Sequence, residues 1–170
     1  MGEHTVSKEI SLGELQEFIA AFWHYYDEWN AEEIAARFAD NIQYTGRSDT
    51  GASPFEDMLR ADLRGRDETM AWLTEHRNQS PYPLRHNSTN IFRTGRDGDV
   101  TNARCYIFVT VVANLVPVAA SSGIVNFAVT RGPAGLQFTS LDVVLDTQES
   151  AILSSLSAAD GVARSPVDRR

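Results

Sequence analysis

Val100-Thr101-Asn102-Ala103-Arg104-Cys105-Tyr106-Ile107-Phe108-Val109-Thr110-Val111-Val112-Ala113 decides the fold. The run is dense in β-branched and aromatic residues and holds neither proline nor glycine, which predicts one long strand. Its second half is apolar on both faces, so one face is expected to pack on helices and the other to be covered as well. Outward from it, residues 84–94, 122–131 and 136–146 read as further strands. Arg96-Asp97-Gly98-Asp99 closes the first hairpin and Gly132-Pro133-Ala134-Gly135 the last. A short strand is expected from Ile42 to Thr45.

The preceding half is helical. Ser11 followed by Glu14 makes a capping box, and Leu12, Leu15, Ile19, Phe22 and Tyr26 follow at helical spacing, predicting a helix from Leu12 to Glu28. Asn30 with Glu33 starts a second helix, and Ser53-Pro54-Phe55-Glu56 a third with proline at its first helical position. A fourth runs from Arg66 to His76. Helices first and strands after give an α+β domain, in which a curved antiparallel sheet wraps around the N-terminal helices and leaves a conical cavity suited to a small molecule.

Residues 11–146 are expected to form this one domain, with residues 1–10 as an N-terminal arm and 147–170 as a flexible C-terminal tail. Of the 170 residues, 42% are hydrophobic and 22% charged, the balance of a soluble globular protein. No apolar run reaches the ~20 residues of a membrane span, and no secretion-signal pattern opens the chain, so cytoplasmic residence is expected. A net charge of −8 argues against a nucleic-acid partner, and the scattered arginines, interleaved with acids, read as a mixed-charge surface. Cys105 is the single cysteine and is read as a buried, inert thiol.

The chemistry lies in Asp27 and His86. The first falls near the end of the first helix; the second opens the strand Leu84-Arg85-His86-Asn87-Ser88-Thr89-Asn90-Ile91-Phe92. A carboxylate beside an imidazole fixes the ring tautomer and stabilises the cation formed when the ring collects a proton. Such a unit in an apolar pocket makes an enzyme that needs no cofactor. His24 and Asp27, at i and i+3, with His86 as a third ligand, form a competing two-histidine, one-carboxylate metal reading of low specificity. Trp23, Trp29 and Trp72 are read as core or interface aromatics, and Arg131 as a surface residue or a holder of an anionic group.

Three stretches carry a family resemblance: Tyr26-Asp27-Glu28-Trp29-Asn30-Ala31-Glu32-Glu33-Ile34-Ala35-Ala36-Arg37-Phe38-Ala39-Asp40-Asn41-Ile42-Gln43-Tyr44, Gly65-Arg66-Asp67-Glu68 and Arg85-His86-Asn87-Ser88-Thr89-Asn90. Together they resemble the nuclear-transport-factor-2-like superfamily, and within it the SnoaL-like branch that includes scytalone dehydratase, hexachlorocyclohexane dehydrochlorinase, bile-acid dehydratases and polyketide cyclases. The resemblance implies that Asp27 and His86 form a catalytic dyad and that Tyr26 matches the tyrosine preceding the aspartate in scytalone dehydratase. It likewise makes Asn126 similar to that enzyme's substrate-contacting asparagine. Phe22, Tyr44, Phe108 and Thr110 complete the expected substrate-binding set. Asn126 has a second reading, a buried amide tying neighbouring backbone together.

The chain also departs from its relatives. Thr110 stands nearest the position of a second pocket histidine in scytalone dehydratase, that enzyme's other water-orienting tyrosine falls near Gly46, and Phe22 replaces a lysine of the dehydrochlorinase. The resemblance therefore implies a cofactor-independent lyase or isomerase, of dehydratase or cyclase type, acting on a hydrophobic small molecule. A non-catalytic small subunit of a ring-hydroxylating dioxygenase and a small-molecule-binding module are the alternatives. Relatives assemble through the open sheet face, so a homo-oligomer, dimer or trimer, is expected.

Overall fold

The computed structural model describes residues 9–153. Residues 1–8 of the expected arm and 154–170 of the expected tail lie outside the described residues. Ile10, at the end of that arm, is buried in the core.

Helix α1 (Leu12–Asp27) starts at the expected capping box: Glu14 N–H donates to Ser11 Oγ at 3.2 Å, and Ser11 N–H donates back to Glu14 Oε2 at 3.0 Å. It buries Leu15, Phe18, Ile19, Phe22, Trp23 and Tyr26, the face set by its apolar spacing. Trp29, at a φ of 55°, takes the left-handed conformation that glycine usually supplies at a helix end, and turns the chain into α2 (Ala31–Ala36), capped by Asn30.

Strand β1 (Phe38–Ser48) is far longer than the expected Ile42–Thr45 segment. It leads through α3 (Glu56–Leu59) and a short strand unforeseen in the sequence, β2 (Ala61–Arg64), to α4 (Arg66–Gln79). Then follow β3 (Leu84–Asp97), β4 (Val100–Ala113), β5 (Val116–Gly132) and β6 (Gly135–Leu145). The sheet order is β2-β1-β6-β5-β4-β3, with β1 and β6 parallel and every other pair antiparallel. The expected α+β architecture of helices against a curved sheet is present, with that one parallel pair added.

Strand β5 begins six residues before the expected position 122, because Asn114 and Leu115, at φ of 52° and 65°, form a two-residue hairpin. Such a turn ordinarily announces itself as Asn-Gly, and leucine in the second place hides it. A further expectation fails at β4. Ala103, Cys105, Ile107 and Val109 face the helices, but Tyr106 is 54% exposed and Phe108 38%, and no helix among the described residues covers that outer face.

Phe18, Phe22, Phe38, Phe127 and Phe138 pack ring against ring within the core between helices and sheet. Gly46 on β1 lets α3 come close: a Cβ there would lie 2.5 Å from the Leu59 carbonyl oxygen. Packing of α3 over β1 forms one wall of the space between helices and sheet.

Candidate active site

That space is a cavity of about 360 Å³, within the range of small-molecule sites. Its wall is apolar and aromatic, with Phe22, Trp23, Tyr44, Trp72, Val109 and Leu141 among its lining residues. No carboxylate lines it among the described residues, and its one charged lining residue, Arg47, is paired with Asp142 at 2.7 Å.

Asp27 is the last residue of α1 and is buried. Its Oδ1 lies 2.6 Å from His86 Nδ1, and its Oδ2 accepts from the His86 backbone N–H at 2.9 Å. Strand β3 is the sheet edge, which frees that N–H to turn toward α1 instead of a neighbouring strand. A carboxylate can only accept here, so Nδ1 carries the ring proton and Nε2 is left for the cavity that His86 lines. Trp23 stacks flat on the imidazole at 4.8 Å and 9°, and Tyr26 meets it edge-on at 5.2 Å.

The end of α1 is held by a residue the sequence did not single out. Buried Arg77 of α4 donates to the Asp27 carbonyl at 2.8 Å, to the Tyr26 carbonyl at 3.3 Å and to the Pro81 carbonyl at 3.2 Å. A cation at a helix C-terminus satisfies orphan carbonyls and offsets the negative end of the dipole. A carboxylate is disfavoured at that position, so Arg77 makes it easier to keep Asp27 there. In the sequence Arg77 was one of several arginines read as surface charge.

A second histidine, also missed, sits across Tyr26. His76 Nδ1 lies 2.5 Å from the Tyr26 hydroxyl, and Trp72, one turn earlier on α4, stacks on its ring at 4.8 Å and 15°. Burial, reinforced by His86 and Arg77 nearby, holds the His76 pKa down at about 4. Burial, with smaller contributions from Tyr44 and Asp27, pushes the Tyr26 hydroxyl well above the usual phenol range. Tyr44 is pushed up for the same reason and leans on Trp72 at 5.3 Å. The one available signal for His76 was its i, i+4 spacing from Trp72.

Of the residues expected at the site, Tyr26, His86, Phe22 and Tyr44 line the cavity and Asp27 stands behind His86. Tyr44 also stands two residues from Gly46, where the relatives' second tyrosine was expected. Three residues are elsewhere. Phe108 lies on the outer sheet face, since neighbours Ile107 and Val109 point inward. Val109 and Val111 line the cavity, and strand alternation leaves Thr110 off its wall. Asn126 alternates with buried Val125 and Phe127 and therefore projects to the outer face. There it accepts from Arg104 Nε at 2.8 Å and donates to Asp142 Oδ2 at 2.9 Å, while Asp142 Oδ1 accepts from Thr45 at 2.6 Å.

His24 is exposed on α1, so the two-histidine, one-carboxylate set is not assembled, and Arg131 is paired with Glu14. Trp23 and Trp72 are cavity residues, beyond their expected core role. Cys105 is buried and its thiol pKa is pushed up to about 12 by that burial.

The SnoaL-like domain family matches residues 11–142. The chain belongs to this family. A nuclear-transport-factor-2-like protein with a cystatin-like fold from Novosphingobium aromaticivorans is similar over 85% of this chain and 86% of its own, at TM-score 0.63 and 21% identity. The β subunit of benzoate 1,2-dioxygenase from Burkholderia mallei is similar over 81% and 92%, at TM-score 0.62 and 19% identity. A scytalone dehydratase-like protein from Novosphingobium aromaticivorans is similar over 81% and 86%, at TM-score 0.61 and 14% identity. At these identities the likenesses establish the fold alone. A search of curated proteins finds no match. No helix among the described residues is long and apolar enough to cross a membrane.

Proposed function

We propose that this SnoaL-like protein is a cofactor-independent lyase or isomerase, of dehydratase or cyclase type, that removes a proton from a hydrophobic small molecule. The observation that carries the reading is the two-point clamp of Asp27 on His86 at the wall of an apolar cavity. His86 Nε2 takes the proton; Asp27 sets the ring's tautomer and plane and stabilises the imidazolium formed. Among the described residues the wall carries no carboxylate to receive a cationic substrate, and its arginine is already paired, which favours a neutral ligand. One carboxylate behind a histidine also favours proton abstraction over epoxide opening, which usually requires more than one acid in the cavity.

The test is solvent deuterium exchange. A panel of neutral carbonyl compounds with acidic α-hydrogens is incubated with the protein in D2O and followed by proton NMR. Wild type is expected to catalyse exchange on at least one, and His86→Ala to abolish it with the fold intact by circular dichroism. Equal exchange by wild type and His86→Ala removes the dyad from the mechanism.

A second reading draws on the outer sheet face. Tyr106, Phe108 and Val112 are exposed there on β4. A homo-oligomer, dimer or trimer, would cover them; so would the large subunit of a ring-hydroxylating dioxygenase, the partner class implied by the benzoate dioxygenase β subunit of like fold. Size measurement of the purified protein and co-purification with a Rieske-type oxygenase separate the two.

A further inference from the structure

We propose that His76 is a second catalytic residue, which holds the carbonyl oxygen of the substrate through its Nε2–H while His86 takes the α-proton, and that Tyr26 is the positioning residue that keeps the His76 proton on Nε2. This rests on the proton-abstraction reading above and narrows its substrate class to neutral carbonyl compounds with an α-hydrogen.

The Tyr26 hydroxyl and His76 Nδ1 share one hydrogen bond of 2.5 Å, whose direction follows from burial. Burial disfavours both a tyrosinate and an imidazolium, so the phenol keeps its proton and Nδ1 accepts it. The only ring proton of a neutral imidazole that accepts at Nδ1 is on Nε2. Nε2 makes no hydrogen bond to the described residues, and the ring lines the cavity that His86 also lines. Trp72 fixes the ring plane, and Tyr26 touches both imidazoles, at ring separations of 5.2 Å to His86 and 6.3 Å to His76.

The two histidines are thus set to opposite tasks by their second atoms. A carboxylate on Nδ1 leaves His86 with a lone pair facing the ligand; a hydroxyl on Nδ1 leaves His76 with an N–H. One ring therefore offers an acceptor and the other a donor, the two groups that a base and an electrophile require. Tyr44 also carries a hydroxyl on this wall, but no hydrogen bond to the described residues fixes its direction, whereas the His76 N–H is aimed before the substrate arrives.

The step balances without a co-reactant. His86 Nε2 bonds the α-proton, the C–H pair becomes the new C=C bond, and the carbonyl π pair moves onto oxygen, where His76 Nε2–H receives it. His76 donates a hydrogen bond and not its proton, because Tyr26 cannot pass one on without becoming a buried anion. The pair then returns, either to a carbon that retakes the proton from His86 or to expel a β-hydroxyl, which leaves as water with that proton.

The test uses the full chain with nitrogen-15 histidine and, as probe, 1-tetralone carrying carbon-13 at its carbonyl. In ligand-free protein at neutral pH, nitrogen shifts are expected to show His76 protonated at Nε2 and bare at Nδ1. Bound 1-tetralone should show a carbonyl stretch lowered relative to its value in hydrocarbon. His76→Phe should lose that shift and slow α-deuteration about 10²-fold. Tyr26→Phe, which keeps the ring, should reduce the shift in part and populate the Nδ1–H tautomer. His86→Ala should keep the shift and lose exchange. An Nδ1–H tautomer in wild type overturns the proposal, as does a carbonyl shift that survives His76→Phe or vanishes only in Tyr44→Phe. A shift without any exchange in wild type supports the donor and defeats the proton-abstraction reading, so the two fail separately.

Discussion

Arg77 donates to the backbone carbonyl of Asp27, the residue whose carboxylate grips His86, so one side chain of α4 holds the end of α1 at the site. Removing it takes the donor from the Asp27 carbonyl, whereas the Tyr26 carbonyl keeps the Trp29 backbone N–H at 3.2 Å. Arg77→Met is expected to lower stability by about 2–3 kcal/mol, read as a shift in the urea midpoint. Arg77→Lys should recover only part of that loss, because three separate carbonyls require the guanidinium fork.

Asp27→Asn keeps the volume and shape of the side chain but changes what it tells His86. The amide nitrogen can donate to Nδ1, which moves the ring proton to Nε2 and removes the lone pair facing the cavity. Deuterium exchange should fall by ~10²–10⁴-fold with the fold retained, and nitrogen-15 shifts should show the tautomer of His86 inverted. Unchanged exchange in this variant would separate Asp27 from the chemistry.

His76 couples stability to pH. Its folded pKa, about 4, lies below the ordinary histidine value, with Tyr26, Trp72, His86 and Arg77 facing the ring. The unfolded chain takes up a proton as pH falls below about 6.5, while the folded chain does not until about 4. Stability from this group is therefore complete above about 6.5 and declines as the solution is acidified toward 4. His76→Phe should lose on the order of 1–2 kcal/mol less than wild type between pH 7 and pH 4.5, by urea melts at each pH.

Gly46→Ala tests the wall formed by α3. Its methyl would stand 2.5 Å from the Leu59 carbonyl oxygen, which belongs to backbone and can move only with the α3 segment. A destabilisation of about 1–3 kcal/mol is expected, together with weaker binding of 1-tetralone, measured by titration calorimetry. Asn126→Ala, by contrast, should leave binding and exchange unchanged, since its amide bonds lie on the opposite sheet face.

The starts of α1 and α2 were legible because capping is local: Ser11 with Glu14 and Asn30 with Glu33 act within one turn, whereas α3 begins only at Glu56, after Phe55, and leaves Pro54 outside the helix. The long strands were legible from their composition, and the pairing of Asp27 with His86 only through resemblance, since no local rule brings residues 59 positions apart together. What failed was side assignment. Whether Thr110 and Asn126 face inward depends on strand register, and a bulge between Val109 and Thr110 shifts the partners on β5. His76 and Arg77 stayed hidden because they sit in a helix of polar appearance, whose burial comes from α1 packing across its last turn.

Trp23 lies face to face with His86 and Trp72 with His76. An imidazolium quenches the emission of an adjacent indole, so each of the two rings has its own intrinsic lamp. With Trp29 as background, replacing Trp23 by phenylalanine would let an ordinary fluorimeter follow the charge of His76 through Trp72, with no label and no knowledge of the natural ligand.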